Sequence, residues 1–557
     1  MIEERLIALL REALAASAGE LGLVGDPPPV ELSVPKKKAH GDFATNAALA
    51  LAGRVGRPSR EVAEVLVGHL PEAAFVERVE IAGPGFMNFF VTDAWLHDAL
   101  REAVRLGPAY GRGEPLGRSV QVEFVSANPT GPLHIGTARN AVIGDTIAAV
   151  MEAAGWAVGR EYYFNDAGRQ MDLFGASVEA RYLQRFGRDV EIPDEGYHGA
   201  YIGDLAEGLA ATFGDAFVDL PEEERQERIL HEGAQRILAQ IERSLERFGV
   251  RFDRFVHERE LHESGQVQQA VDRLRAGGHV YDADGAVWFR STDFGDDKDR
   301  PLIRSNGAPT YFAADCAYVV DKFRRGFDHL IYVWGADHHG DVARVKGAAE
   351  AMGFDPDAVE IVLYQFVTLY RGGELVRMSK RAGDIITLDE LLDEVGVDAT
   401  RFALLSRSSD SPMDFDIELV KRQTMDNPVY YVQYGHARIA SILRHAAERG
   451  VTLRPIEEAD LPLLSTEAEV ELLKSIAEVP ARVAEAAELR APHRLTYFAQ
   501  ELASRFHRFY TDCRVVTDDD ALTQARLWLS TGAKLAIANV LGLLSVSAPE
   551  AMGRVDA

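Results

Sequence analysis

The sequence predicts a doubly wound α/β domain of the Rossmann type, built on a parallel sheet. Residues 120–125 alternate between polar and apolar types, a helical pattern follows over about 137–154, and residues 161–164 are again strand-like. A strand, a crossover helix and a second strand form the repeating unit of a parallel sheet. The apolar runs at 330–333 and 361–363 predict two further strands that are buried on both faces.

A small α+β domain is predicted before the α/β domain, over residues 1–106. Its first segment has a helical pattern with four apolar residues on one face, namely Ile2, Leu6, Leu9 and Leu10. The strand-like runs 78–81 and 86–91 flank a turn rich in glycine and proline. A second stretch of this composition, 107–117, separates the two domains.

The α/β domain is assigned to residues 118–385, and a charged, helical insertion is expected within it over about 171–250. After residue 386 no convincing strand pattern occurs, and amphipathic segments such as 467–479 and 521–543 predominate. Residues 386–557 are therefore expected to form an all-helical C-terminal domain.

Composition limits the classes of protein to which the chain can belong. Its 557 residues include 47% hydrophobic and 26% charged residues, which is typical of a folded globular protein of three or four domains. The formal net charge of -27 repels polyanions, so any contact with RNA must use local basic patches. Two distant cysteines, the lack of a basic leader and the lack of a membrane-length apolar run favour a cytoplasmic protein without membrane contact.

The first candidate signature is His134-Ile135-Gly136-Thr137, which follows a Pro/Gly turn and opens the predicted helix. A helix N-terminus offers free N–H groups and a favourable dipole to phosphate. Gly136 permits a close approach of the backbone, and His134 is suited to donate a hydrogen bond to a triphosphate as its charge shifts. A histidine that merely satisfies a turn is the alternative interpretation, and the tetrapeptide alone favours it.

The second candidate signature, Arg377-Met378-Ser379-Lys380-Arg381, places three cations in one short segment. Lys380 supplies a mobile point charge for a departing pyrophosphate, and the two arginines can add bidentate contacts. An ordinary basic surface turn is the alternative interpretation. The occurrence of both signatures in this order, on opposite halves of one inferred sheet, favours a nucleotide site.

The two signatures resemble those of class I aminoacyl-tRNA synthetases. Four further stretches, 122–134, 162–170, 427–434 and 506–510, resemble arginyl-tRNA synthetases of the bacterial type, and the similarity runs nearly end to end. The resemblance implies activation of L-arginine with ATP, accompanied by Mg²⁺, to arginyl-adenylate and pyrophosphate. It also implies transfer to the terminal ribose of tRNA(Arg) with release of AMP, and a monomeric enzyme.

The resemblance also implies site residues. Glu123, Asn128, Tyr311 and Asp315 are expected to bind arginine, and a guanidinium group does require carboxylates arranged as a fork. If residues 310–315 are helical, Tyr311 and Asp315 share one face. The full expected sets are Glu123, Ser126, Asn128, His134, Tyr311, Asp315 and Asp337 for arginine; Pro132, His134, Gly136, Thr137, Asn140, His339, Met378 and Lys380 for ATP; and His134, Gly136, Arg377, Ser379 and Lys380 for catalysis.

For tRNA, the resemblance implies that the first domain reads a base of the D-loop through Phe86 and Asn88. These residues are two apart and therefore lie on one face of a strand. A core phenylalanine beside a turn asparagine is the alternative interpretation. The C-terminal domain resembles the stem-contact and anticodon-binding domain of the family, and its aromatic and basic candidates are Tyr430, Tyr434, Arg438 and Arg508.

A metal site is not expected in the protein itself. Asp337, His338 and His339 have the side-chain types of zinc ligands, but no second cluster supplies the remaining ligands. Residues of this kind also suit contacts with adenosine and ribose, so Mg²⁺ bound to ATP is the expected ion.

The sequence departs from the family pattern at Thr137, where a second histidine is usual, and at Arg377, where a lysine is usual. A threonine hydroxyl at a helix N-terminus can still donate to an anion or cap the helix. Two rival functions remain open: a catalytically silent paralogue that binds tRNA or a partner, and a synthetase for another amino acid. His134, Lys380 and the arginine-binding set argue against both.

Overall fold

The computed structural model describes residues 2–35, 37, 40–166, 168–376 and 386–553. The first domain contains α1 (Ile2–Leu21), β1 (Phe43–Thr45), α2 (Ala47–Val55), α3 (Ser59–Gly68), β2 (Val76–Ala82), β3 (Phe86–Val91) and α4 (Ala94–Leu106). The strands form an antiparallel sheet in the order β1-β3-β2. The predicted apolar face of α1 is confirmed, because Ile2, Leu6, Leu9 and Leu10 are all buried.

The α/β domain follows the predicted strand, helix, strand order. Its first half contains β4 (Ser119–Glu123), α5 (Ile135–Ala153), β5 (Ala157–Phe164), α6 (Arg169–Arg185), α7 (Ala200–Phe213), α8 (Glu222–Arg247), β6 (Arg254–His257), α9 (Glu258–Glu263) and α10 (Gln266–Ala276). Its second half contains β7 (Val280–Ala283), β8 (Ala286–Phe289), β9 (Arg300–Ile303), α11 (Tyr311–Arg324), β10 (His329–Gly335), α12 (Val342–Ala351), β11 (Val359–Tyr364), β12 (Val367–Arg371) and β13 (Glu374–Leu375).

Five strands form the central parallel sheet, in the order β11-β10-β4-β5-β6. Successive residues of β10 face two different hydrophobic cores: Ile331 and Val333 face one, and Leu330 and Tyr332 face the other. Helices therefore cover both faces of the sheet, as predicted for a doubly wound fold. In the region expected to be a helical insertion, the chain forms α6, α7 and α8, which lie between β5 and β6.

The strand order reverses between β4 and β10. The chain runs from β4 through α5 to β5 on one side, and later returns to place β10 on the other side of β4. Ligands of open α/β sheets bind at such a switch point, beyond the carboxyl ends of the strands. The sheet topology thus locates the candidate site.

The C-terminal region contains α13 (Leu388–Val395), α14 (Val397–Leu404), β14 (Met413–Asp416), α15 (Ile417–Val420), α16 (Pro428–Glu448), α17 (Glu467–Glu488), α18 (His493–Asp512) and α19 (Asp520–Leu543). The expectation of no strand after residue 386 is wrong at β14, which pairs in parallel with β12. Only Met413 and Phe415 of this four-residue strand are buried. The strand is too short for its alternation of buried and exposed residues to be recognised in the sequence.

Among the helices that the structure describes, none combines the length and the apolar composition needed to cross a membrane. Cys316 and Cys513 are both buried and both free.

Candidate active site

A cavity of about 830 Å³ lies at the switch point of the central sheet. Its walls come from the segments after β4, β5 and β10 and from one face of α11. Polar residues of the lining include Glu123, Ser126, Asn128, Asn140, Asn165, Gln170, Asp315, Tyr318, Asp337 and His338. We call this space the central cavity.

The structure brings six residues of the predicted set together around the central cavity: Glu123, Ser126, Asn128, Asn140, Asp315 and Asp337. Within the described residues, Tyr311 and His339 lie outside its lining, as do Pro132, His134, Gly136 and Thr137 near the start of α5. The members expected to recognise arginine therefore cluster more closely than those expected to hold ATP.

Glu123 ends β4 and is only 5% exposed. Val120 and Val122 face one core, so the pleat of the strand turns Glu123 toward the opposite face, where α11 covers the sheet. Its Oε2 accepts from the ammonium of Lys322 at 2.5 Å, and its Oε1 accepts from the hydroxyl of Ser126 at 3.0 Å. A buried carboxylate is thus fixed at the floor of the cavity.

The backbone after β4 explains why the strand is shorter than the alternation suggested. Val125 and Ser126 have positive φ values of 67° and 39°, which end the extended conformation. This turn directs the Ser126 hydroxyl back toward Glu123.

Residues 311–315 form the start of α11, so Tyr311 and Asp315 lie one turn apart on this helix. Thr310 caps α11 by accepting from the backbone N–H of Ala313 at 3.3 Å. Enclosure in the cleft, together with the carboxylates of Glu258 and Glu123, raises the pKa of Asp315 to about 7. A cation bound beside this carboxylate would stabilise its ionised form.

Tyr311, one turn before Asp315, is 46% exposed and packs against the backbone of Gly168. A Cβ atom at residue 168 would lie only 1.9 Å from the Tyr311 hydroxyl. Gly168 also has a φ of +87°, which disfavours a side chain. The position of Tyr311 therefore depends on a glycine in the loop after β5.

Two predicted residues already have protein partners. Asn128 donates to the side chain of Gln170 at 2.6 Å. The Asn140 amide donates to the carbonyl of Val333 at 2.8 Å and accepts from the backbone N–H of Val125. Asn140 thereby joins the ends of β4 and β10 behind the cavity.

The first signature forms the start of α5. His134 is the N-cap residue, and its Nδ1 accepts from the backbone N–H of Gly136 at 3.1 Å. In the neutral ring this arrangement places the proton on Nε2, which becomes a donor. A Cβ atom at 136 would lie 3.1 Å from the His134 ring, so a side chain there would require the ring to shift by a few tenths of an ångström. The cap is His134 and not Thr137, which is 8% exposed.

The chain returns to the first signature just after the second. His134 forms an antiparallel bridge with Thr387, and the N–H of Leu388 donates to the carbonyl of Leu133 at 2.8 Å. Arg377, Met378, Ser379, Lys380 and Arg381 themselves lie outside the described residues. The bridge nevertheless places the segment that follows them beside His134.

Asp337, His338 and His339 lie in the 3₁₀ turn Ala336–Asp341 that follows β10, and all three are exposed. The Nδ1 of His338 lies 3.2 Å from Asp341. Across the described part of the chain, no group of three or more His, Cys, Asp or Glu side chains is arranged to hold a metal ion.

The residues expected to contact tRNA differ in accessibility. Phe86 is 42% exposed, whereas Asn88 on the same strand is buried. In the C-terminal helices, Tyr430 is buried, and Tyr434 stacks between Tyr430 and His507. The Arg438 guanidinium lies over the rings of Tyr434 and Tyr510; Arg508 is exposed and forms an ion pair with Glu467 at 3.1 Å.

Sequence reasoning missed several residues of the cavity and its floor: Tyr163, Gln170, Glu258, Tyr318 and Lys322. A signal for two of them was available. Tyr318 and Lys322 lie seven and eleven residues after Tyr311 and so continue the face of α11 that carries Asp315. Lys322 was not recognised because a lysine usually indicates a solvated face.

Three family models match the chain. The arginyl tRNA synthetase N-terminal domain matches residues 4–91, the catalytic domain of class I (R) tRNA synthetases matches 102–416, and the DALR anticodon binding domain matches 432–552. Together they account for most of the chain, in the same order as the three structural regions.

The sequence similarity to two relatives and the structural similarity to a third protein extend over nearly the whole chain. An arginine–tRNA ligase of Carboxydothermus hydrogenoformans is 50% identical over 523 residues, which cover 94% of each chain. One of Heliobacterium modesticaldum is 48% identical over 558 residues, which cover 99% of each chain. The Thermus thermophilus arginyl-tRNA synthetase structure, at 24% identity, shares the fold with a TM-score of 0.72 over 99% of this chain and 100% of its own. The chain belongs to the arginyl-tRNA synthetase (arginine–tRNA ligase) family of class I enzymes.

Proposed function

We propose that the central cavity binds L-arginine with its guanidinium group between the carboxylates of Glu123 and Asp315. The observation that carries this proposal is the convergence of these two side chains, from β4 and α11, on one cavity at the switch point. Planar N–H donors pair well with two carboxylates arranged as a fork. The raised pKa of Asp315 supports the proposal, since a bound cation stabilises the ionised form.

Of the other residues proposed to bind arginine, Ser126, Asn128 and Asp337 line the same cavity, whereas Tyr311 and His134 lie outside its lining. Tyr311 offers a flat ring beside the guanidinium, and Ser126, Asn128 and Asp337 are available for the α-amino and α-carboxylate groups. Holding the carboxylate of arginine toward the start of α5 would bring it to the α-phosphate of ATP.

ATP is proposed to bind at the N-terminus of α5, as its Mg²⁺ complex. The N-terminal end of this 19-residue helix, with its backbone N–H groups and its dipole, suits the triphosphate. His134 would donate from Nε2 to the phosphate as charge develops, and Gly136 allows the approach. Lys380, Arg377 and Ser379 are proposed to hold the pyrophosphate, with Pro132, Thr137, Asn140, His339 and Met378 around the nucleotide.

The reaction needs no protein nucleophile. A carboxylate oxygen of arginine attacks the α-phosphorus, the bond to the β-phosphate oxygen breaks, and pyrophosphate leaves. A hydroxyl of the terminal ribose of tRNA(Arg) then attacks the acyl carbon, and AMP leaves with the electron pair of the broken bond. Catalysis consists mainly of positioning and charge stabilisation.

The proposed tRNA contacts are Phe86 and Asn88 in the first domain and Tyr430, Tyr434, Arg438 and Arg508 in the C-terminal helices. The exposed Phe86 ring and the stacked aromatic and arginine side chains support stacking on unpaired bases. Because Asn88 is buried, its contact with a base would require a local rearrangement. We further propose that the protein acts as a monomer in the cytoplasm.

The test is ATP–pyrophosphate exchange measured across the amino acids, with and without tRNA. We expect exchange to depend on arginine and to require tRNA(Arg), as the family resemblance implies. Exchange stimulated by another amino acid would assign a different synthetase. No exchange under any condition, from a protein that still binds tRNA, would identify a catalytically silent paralogue.

A further inference from the structure

We infer that Lys322 is a positioning residue that sets the orientation of Glu123 for a guanidinium ligand and thereby favours arginine over simple ammonium side chains. The inference rests on the proposed arginine site and adds to it a residue that does not line the cavity. Its basis is the arrangement of buried charges between α11 and the central sheet.

One face of α11 carries all the groups involved. Tyr311, Asp315, Tyr318 and Lys322 follow at intervals of four, three and four residues, so they form a single row along the helix. Asp315 and Tyr318 line the cavity, and Lys322 lies beneath it. The same helix therefore carries Asp315, one of the two carboxylates proposed to bind the ligand. It also carries Lys322, the cation that pairs with the second carboxylate, Glu123.

Lys322 is completely buried, and its surroundings fix its ammonium group. The Nζ atom lies 2.5 Å from Oε2 of Glu123, and it lies over the rings of Tyr318 and Tyr332 at 4.0 and 3.7 Å from their centroids. Tyr332 is the direct neighbour of Glu123 across the β10–β4 pair. Aromatic faces stabilise a desolvated cation without offering it competing hydrogen-bond acceptors, so the ammonium is directed to Glu123.

A neighbouring ion pair between the sheet and the end of α11 shows how an arginine would contact a carboxylate at this position. Glu161 of β5 is the neighbour of Glu123 on the other side, and it pairs with Arg325, the residue directly after α11. Arg325 donates to both oxygens of Glu161 at 2.6 and 2.8 Å, and the Tyr318 hydroxyl donates to it as well. Among the described residues, Glu161 thus accepts from three donors and does not line the cavity, whereas Glu123 accepts from two, Lys322 on Oε2 and Ser126 on Oε1.

A buried cation beneath a site for a cationic ligand has a consequence for selectivity. Lys322 offsets the charge of Glu123, so a ligand gains little there from its net positive charge alone. The ligand gains instead from hydrogen bonds to the lone pairs of the Glu123 carboxylate, which point in fixed directions. Several N–H donors in one plane, as in guanidinium, satisfy that geometry better than a single ammonium group.

Two substitutions test the inference. Lys322→Met removes the positive charge but keeps a side chain of similar length. Lys322→Arg keeps the charge, but its guanidinium group can donate to both oxygens of Glu123, as Arg325 does to Glu161. For both variants we expect the KM for arginine in aminoacylation to rise about 10-fold or more, the loss typical of one charge-assisted hydrogen bond. The KM for ATP should change less than about twofold, and the Ki of ornithine as a competitor less than about threefold.

The control is Arg526→Met, which removes a buried cation from a buried glutamate, Glu469, in the C-terminal helices. It should lower the melting temperature and leave both KM values unchanged. If Lys322→Met does not fold, Lys322→Arg decides the question. A wild-type KM for arginine in either folded variant, or equal weakening of arginine and ornithine, overturns the inference. If the wild-type protein shows no dependence on arginine, the proposed function itself fails.

Discussion

The central cavity and the bundle of C-terminal helices α16–α19 both bury charged side chains, but they do so in different ways. In the bundle, Glu469 accepts from Arg526 at 2.7 Å and from Thr466 at 2.7 and 2.9 Å, while Arg526 also donates to the carbonyl of Arg514 at 2.8 Å. In the cavity, enclosure in the cleft and then the carboxylates of Glu258 and Glu123 raise the pKa of Asp315 to about 7.

This difference separates charge used for stability from charge used for binding. Burying an ion pair removes both charges from water, which is unfavourable. Where all partners belong to the protein itself, as in the bundle, their hydrogen bonds offset this desolvation penalty. A carboxylate held among other carboxylates destabilises the free protein and is stabilised by a cationic ligand. Substitutions should therefore affect stability in the bundle and ligand affinity in the cavity.

The largest effect on stability is expected in the bundle. Arg526→Met leaves Glu469 charged and fully enclosed, which should reduce the free energy of unfolding by about 3–5 kcal/mol. Denaturant-induced unfolding followed by circular dichroism measures this change. A loss below about 1 kcal/mol would mean that the pair is not needed for the stability of the bundle.

The largest effect on turnover is expected at the start of α5. His134→Ala removes the proposed donor to the triphosphate and should lower kcat of pyrophosphate exchange by about 10²–10³-fold. Thr137→Ala should cost far less, because His134 already caps the helix. If Thr137→Ala abolishes exchange as completely as His134→Ala, the assigned roles of these two residues are wrong.

In the cavity, Asp315→Asn should raise the KM for arginine by about 10–100-fold, since a hydrogen bond to a charged group contributes roughly 1.5–3 kcal/mol. Without arginine, the same variant should have a higher melting temperature than the wild type at pH 8, because the crowded charge has been removed. A variant that loses stability at pH 8 would contradict the account of Asp315.

The pH dependence of Asp315 has a defined sign. Its pKa rises from the usual 3.8 to about 7 in the folded protein, so between these values the folded state holds a proton that the unfolded state has lost. The contribution of Asp315 to stability is therefore complete below pH 4 and is lost as the pH rises through 7. Arginine affinity should change in the opposite direction and increase from pH 6 to pH 8, as titration calorimetry can show. An affinity that is constant over this range would exclude a titrating Asp315.

The smallest effect is expected at Gly168. A methyl group there would collide with the Tyr311 hydroxyl and strain a backbone with positive φ, costing about 1–2 kcal/mol in stability. Gly168→Ala should also raise the KM for arginine several-fold. Gly187→Ala is the matched control, because Gly187 has a φ of +73° but open space around it. Equal effects of the two variants on KM would exclude positioning of Tyr311 by Gly168.

Much of the fold was predictable because its elements are long and periodic. The crossover from β4 to β5 and the buried strands β10 and β11 have the lengths and apolar patterns that sequence analysis recognises. The strand β14 and the small antiparallel sheet β7-β8-β9 were not found, because strands of four residues have almost no period. The pairing of β14 also depends on β12, which is distant in the sequence, whereas β7, β8 and β9 follow one another and pair locally.

The candidate site was predictable in part. Glu123, Asn128, Tyr311 and Asp315 were identified through family resemblance, and the structure groups three of them around one cavity. The face of α11 on which Lys322 lies was predictable, but its ion pair was not, because its partner Glu123 lies on β4, 199 residues away in the chain. Lone charged residues in a helix are usually solvated, so only the tertiary structure distinguishes this one.

The most direct test of the central claim is a crystal structure of the protein with L-arginine bound. We expect the guanidinium group to lie between Glu123 and Asp315, with N–O distances of about 2.7–2.9 Å to both carboxylates. A guanidinium group bound elsewhere, or paired with neither carboxylate, would contradict the assignment of the cavity as the arginine site.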